Sequence, residues 1–90
     1  MDEIVEKIRV KNELGLHTRP ATSIVKLLQN SKSEVSFTYR KETANAKSIL
    51  SILMLAVTKN GMLTVKVKGK DALETMESLK QAFDECFGED

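Results

Sequence analysis

The chain has 90 residues, 41% hydrophobic and 30% charged, with a formal net charge of +1. Halving it would leave pieces near the roughly 40-residue size below which disulfides, metals or partners are usually needed, so one domain over residues 1–90 is expected. The balance of apolar and charged residues excludes a disordered composition, and interspersed charges of both signs create no strong field for nucleic acid or membrane.

The single Cys86 has no internal partner, and no Cys/His cluster has metal-site spacing, so a reducing, cytoplasmic setting without metal or cofactor is expected. The opening MDEIVEKIRV lacks the basic region and apolar stretch of a signal peptide. The longest apolar run, residues 52–57, is far short of the roughly 20 residues that span a bilayer, so no membrane insertion is expected.

Ile4, Ile8 and Val10 share one parity while Lys7, Arg9 and Lys11 share the other, the period of a half-buried strand. Residues 12–17 then read as a loop containing Gly15. From Thr18 to about Gln29, the residues Ala21, Ile24, Val25 and Leu28 recur at the spacing of one helical face. A second strand is expected over 34–40, where Val35, Phe37 and Tyr39 alternate with polar residues. Lys41 and Glu42 turn into a brief third strand over 43–46. Ser48 is placed to cap the apolar helix ILSILMLAV. Asn60-Gly61 marks a turn, after which Leu63, Val65 and Val67 alternate with Thr64, Lys66 and Lys68 in a fourth strand ended by Gly69. Asp71 and Glu74 have the spacing of a capping box, and Leu73, Met76, Lys80, Phe83 and Phe87 trace a stripe down a final helix. The order βαββαβα suits an α+β sandwich with helices on one face of an antiparallel sheet, and it leaves strand order open.

The only histidine, His17, stands three residues before the only proline, Pro20. Pro20 fits the first turn of a helix, where the N–H it lacks has no intrahelical partner. That end of a helix offers free N–H groups and partial positive charge to a phosphate or carboxylate. Arg19 adds a planar fork of donors suited to phosphate oxygens, and Gly15 allows close backbone approach. A neutral imidazole there has the nucleophilicity to attack phosphorus. A lone histidine at a helix start is more often a structural cap, so the chemistry alone reaches a candidate phosphate site and stops.

The stretch GLHTRPA closely resembles the segment G-[IL]-H-x-R-P-A of HPr, the histidine-containing phosphocarrier family of the bacterial phosphoenolpyruvate-dependent sugar phosphotransferase system. Asn45-Ala46-Lys47-Ser48-Ile49 resembles the family's second signature, N-x-K-S-I, and the similarity covers nearly all 90 residues. The resemblance implies an open-faced βαββαβα sandwich, with a four-stranded antiparallel sheet and three helices on one face. It further implies a monomeric phosphocarrier that is not a stand-alone enzyme. His17 would accept a phosphoryl group on Nδ1 from phosphorylated enzyme I and pass it to IIA domains of sugar transporters, with Arg19 on the phosphoryl oxygens. It also implies that Ser48 is a candidate for phosphorylation by an HPr kinase/phosphorylase.

The apolar run after Ser48 is hydrophobic nearly all round. Ile49, Ile52, Leu53 and Ala56 would fill the core side, leaving Leu50 and Met54 partly exposed. The pattern is divided between an unusually buried helix and an exposed partner patch; the resemblance favours a patch at Ile49, Leu50 and Leu53. Family members commonly have Gly where this chain has Ser51 and often where it has Ala56, implying a stiffer, bulkier helix here. A nitrogen-branch or purely regulatory phosphocarrier would share the same site. A nucleic-acid-binding α+β module, prompted by Lys66, Lys68 and Lys70, is the remote alternative, since the fourth strand lacks aromatic residues for base stacking.

Overall fold

The alternation of Leu63, Val65 and Val67, all fully buried, belongs to the strand that holds the sheet together. The structure is a computed structural model in which residues 2–89 are described. The elements are β1 (Glu3–Arg9), α1 (Thr18–Leu28), β2 (Glu34–Tyr39), β3 (Glu42–Asn45), α2 (Ile49–Met54), β4 (Met62–Lys68) and α3 (Ala72–Asp84), followed by a 3-10 turn at Cys86–Gly88. The sheet runs β1-β4-β2-β3 with every neighbouring pair antiparallel. β1 and β2 are therefore parallel to each other with β4 between them, joined by α1; β3 and β4 flank β2 in the same way, joined by α2. Two split βαβ units interleave to make one sheet.

Register fixes the two faces. Ile4, Val67 and Val35 form one row on the helix side, and Val65, Phe37 and Ala44 another. α3 packs on β1 and β4, α2 on β3, and α1 against both other helices. Phe37 and Phe83 meet edge to face at 5.9 Å, within the favourable range for such pairs. The outer face carries rows such as Glu3, Lys68 and Glu34, so Lys68 is flanked by two carboxylates across the strands. Phe37, Tyr39 and Phe83 are buried, and Phe87 packs against the core, so no ring is offered to bases beside Lys66 and Lys68. Lys70 lies beyond β4 altogether.

Several local expectations need correction. The β2–β3 turn is Arg40-Lys41, one residue earlier than Lys41-Glu42, and β3 starts at Glu42 accordingly. Both turn residues have positive φ (50° and 70°), the geometry of a two-residue hairpin turn, here without the usual Asn or Gly. Compensating contacts flank it: the Arg40 guanidinium sits 5.1 Å from the centre of the Tyr39 ring, and the Thr38 and Thr43 hydroxyls bond across the strands at 2.9 Å. Along α3 the buried stripe is Ala72, Thr75, Met76, Leu79 and Phe83, while Leu73 faces solvent and Lys80 pairs with Glu6. Phe87 lies past the end of the helix, in the 3-10 turn.

The capping box at Asp71 and Glu74 does not form. Asp71 is the N-cap of α3, but its carboxylate makes no bond to its own helix. It accepts instead from Ser33 Oγ at 2.5 Å, the Lys32 N–H at 2.9 Å and Ser31 Oγ at 3.3 Å, tying the α1–β2 connection to the start of α3. The Ser33 hydroxyl first, then the Lys32 N–H, hold the Asp71 carboxyl down from the usual 3.8 to about 2. Because the folded value lies below the unfolded one, this contribution to stability is complete above the unfolded value and fades as pH falls toward about 2. Urea unfolding of the wild type should therefore weaken more steeply between about pH 4 and pH 2 than that of Asp71→Asn, which should already be less stable at neutral pH. Parallel pH profiles for the two proteins would refute the assignment.

Candidate functional site

The loop that carries His17 is seated on the segment that follows α2. Gly15 has φ +67°, and a Cβ built on it would lie 2.0 Å from the carbonyl oxygen of Val57, so only glycine fits without displacement. One residue on, the Leu16 N–H donates to that same Val57 carbonyl at 3.0 Å, and the Leu16 side chain is buried. His17 follows in extended conformation as the N-cap of α1, its carbonyl accepting from the Ala21 N–H at 3.0 Å. By helix geometry the Thr18 and Arg19 N–H groups have no acceptor within α1, and Pro20 has no N–H to satisfy. Pro20, Ala21, Ile24 and Leu28 bury the inner face of α1, which fixes the direction in which its start points.

The imidazole of His17 makes no capping bond. Its Nε2 lies 3.0 Å from Oε2 and 3.3 Å from Oε1 of Glu89, beyond the last helical turn of the chain. The Glu89 side chain is only 13% exposed, against 30% for His17 and 80% for Arg19. Arg19 Nε stands 3.8 Å from Glu89 Oε2, near enough for attraction and too far for a hydrogen bond. Asn12, fully buried, donates from Nδ2 to Glu89 Oε1 at 2.5 Å and to the Cys86 carbonyl at 3.0 Å, while its own Oδ1 is buried without a partner.

His17 and Arg19 thus lie together at the start of α1 as expected, and the structure adds Glu89, Asn12 and the Val57 carbonyl. Nothing in the sequence pattern singles these out. Asn12 reads as an ordinary loop residue, and Glu89 sits 72 positions from its histidine. Among the described residues no group of three or more His, Cys, Asp or Glu is placed to hold a metal ion.

Ser48 is the N-cap of α2, its Oγ accepting from the Ser51 N–H at 3.2 Å. α2 ends at Met54, earlier than the apolar run suggests. Ala56 has φ +53°, a left-handed conformation that costs a non-glycine residue about 1–2 kcal/mol. Ala56 therefore lies outside the helix and does not stiffen it. Ile52, Leu55 and Val57 enter the core, whereas Ile49 and Ala56, expected inside, are exposed. Leu50 and Met54 are among the most exposed apolar side chains, and Leu53 is half-buried against the core.

Comparison with known proteins gives a consistent result. Residues 4–85 match the family model described as "PTS HPr component phosphorylation site". The phosphocarrier protein HPr of Chlamydia muridarum is 45% identical over 80 residues, 89% of this chain and 77% of that protein. HPr of Chlamydia trachomatis is 40% identical over 87 residues, 97% of this chain and 80% of that protein. The crystal structure of HPr from Thermoanaerobacter tengcongensis superposes with a TM-score of 0.90 at 31% identity, covering 100% of this chain and 99% of that one.

The seating of the loop has a direct test. Gly15→Ala combines a left-handed φ with a backbone clash, so it should destabilise the fold by about 2 kcal/mol or more and speed hydrogen exchange at the Leu16 amide. An unchanged urea midpoint with unchanged exchange would show that the Gly15–Val57 contact does not position the loop.

Proposed function

The chain belongs to the HPr family of phosphotransferase-system phosphocarriers, and from that premise we propose that His17 is its phosphoryl acceptor, loaded by phosphorylated enzyme I and discharged to IIA domains of sugar transporters. The observation that carries the reading is the disposition of the imidazole: Nε2 engaged by Glu89, no capping bond from the ring, and Arg19 on the same turn. In the transfer, the Nδ1 lone pair forms a bond to phosphorus as the bond from phosphorus to the donor breaks. The ring gains positive charge and keeps its proton on Nε2. Arg19 and the open amides at the start of α1 take the phosphoryl oxygens, over which the transition state spreads its charge. Discharge reverses the same steps, so the protein is regenerated in each cycle as a carrier within a single domain.

Ile49, Leu50 and Leu53, extended by Met54, form the contact patch in this reading, because exposed Ile49, Leu50 and Met54 beside half-buried Leu53, on a helix packed against α1, suit a partner that docks and leaves. Ser48 borders that patch. A phosphate there brings about −1.5 to −2 charges to the start of α2, which the helix dipole tolerates but an apolar or acidic partner surface does not. An HPr kinase/phosphorylase acting at Ser48 would weaken docking without unfolding the domain.

Incubation with phosphoenolpyruvate and enzyme I should place acid-labile phosphate on the wild type and none on His17→Ala, with both proteins melting alike. Persistent acid-labile label in the variant would remove His17 from the mechanism. Arg19→Ala should still be labelled, at least about tenfold more slowly; a wild-type rate would reduce Arg19 to a solvated charge. Ser48→Asp should keep a native-like Tm yet load more slowly through weaker binding to enzyme I. If it loads normally while Ser48→Ala loses stability, Ser48 is a helix cap and nothing more.

A further inference from the structure

We propose that Glu89 is the positioning residue of this site, its carboxylate, braced by Asn12, holding the His17 ring with the proton on Nε2 and the lone pair on Nδ1. The proposal deepens the reading of His17 as phosphoryl acceptor and rests on it. An ionised carboxylate only accepts hydrogen bonds, and a neutral imidazole has a proton on one nitrogen alone. With both Glu89 oxygens within 3.3 Å of Nε2, the tautomer bearing its lone pair there would face a negative charge with no proton between. The proton is thereby held at Nε2, and Nδ1 becomes the nucleophile.

The carboxylate is kept in place from two sides. After α3 the chain turns back through left-handed Cys86 and Phe87, and the Phe87 ring stands edge-on to buried Phe83 with centroids 4.8 Å apart. From below, Asn12 directs its amide at both Glu89 Oε1 and the Cys86 carbonyl. Its Oδ1 is buried without a partner, an unfavourable arrangement for a side chain that only filled space. Its donors secure the turn and the carboxylate together. When the Nδ1–P bond forms and the donor bond breaks, the ring becomes an imidazolium with Nε2–H still directed at Glu89, so the same contact favours the charged product. Arg19, 80% exposed and 3.8 Å from Oε2, is free to turn toward the incoming phosphoryl group.

Ring-15N NMR on histidine-labelled protein, at a pH where the imidazole is neutral, reads the tautomer directly and needs no partner. Wild type should show the Nε2–H form almost alone, and Glu89→Ala should relax toward the mixture of a free imidazole. Transfer from phosphorylated enzyme I should then fall roughly tenfold in kcat with KM little changed, as expected for lost orientation. Glu89→Gln, which retains an acceptor oxygen, should recover part of both readouts. Asn12→Ala should shift the tautomer in the same direction, and the double variant should be no slower than Glu89→Ala alone. An unchanged tautomer in Glu89→Ala overturns the proposal, as does a double variant whose losses multiply. Glu89→Ala decides the question even where Asn12→Ala destabilises the fold. A wild type that shows the Nε2–H form but accepts no phosphate counts against the proposed function alone.

Discussion

The closeness of two backbone segments, Gly15 against the carbonyl of Val57, sets the geometry on which the site depends. With no side chain at Gly15, the Leu16 amide reaches the Val57 oxygen and Leu16 drops into the core. The start of α1 is then fixed relative to the end of α2, so the backbone that carries His17 and the helix that carries the exposed apolar residues share one frame. Neither helix supplies this by propensity. α2 has six residues, too few to persist alone, and is held by its Ser48 cap and by the burial of Ile52 and Leu55.

Topology explains why such short elements suffice. The two split βαβ units share β4 and β2 as each other's inserted strand, so neither unit can form its sheet without the other. α1 and α2 each span a pair of parallel strands that are not neighbours, and these crossovers lock the register of all four. The fully buried central rows of β4 and β2 are the common core of both units, and the charged outer rows keep the opposite face solvated.

Much of this was legible in the residues. Strand parity in 63–67 and the face formed by Ala21, Ile24 and Leu28 are repeating signals, and repetition survives local noise. Ser48 was readable as a cap because the bond it makes is to a residue three positions on. What escaped was governed by partners distant in sequence. Arg40-Lys41 adopts a turn that residue preference alone disfavours, stabilised by Tyr39 and the Thr38–Thr43 pair. Asp71 has the spacing of a capping box, yet two serine hydroxyls and an amide from another loop compete for its carboxylate and prevail. Leu73 fell on the expected stripe, but the helix rotates to bury Ala72 and Thr75 beneath it. The Glu89–His17 contact has no local signature at all, whereas the two family-like stretches containing His17 and Ser48 pointed to their own positions.

Glu89 reaches His17 through a single 3-10 turn, so the order of the imidazole follows the local opening of that turn and not the unfolding of the domain. Terminal turns open at small fractions of the global free energy. Each opening withdraws the carboxylate from the imidazole and from Asn12, which stays in the β1–α1 loop while the sheet and α1 remain intact. The histidine therefore spends part of its time as an unrestrained imidazole on a fully folded protein, in a proportion set by how well Phe87 packs on Phe83. Warming would raise that proportion long before melting, giving the site a thermal response separate from that of the fold.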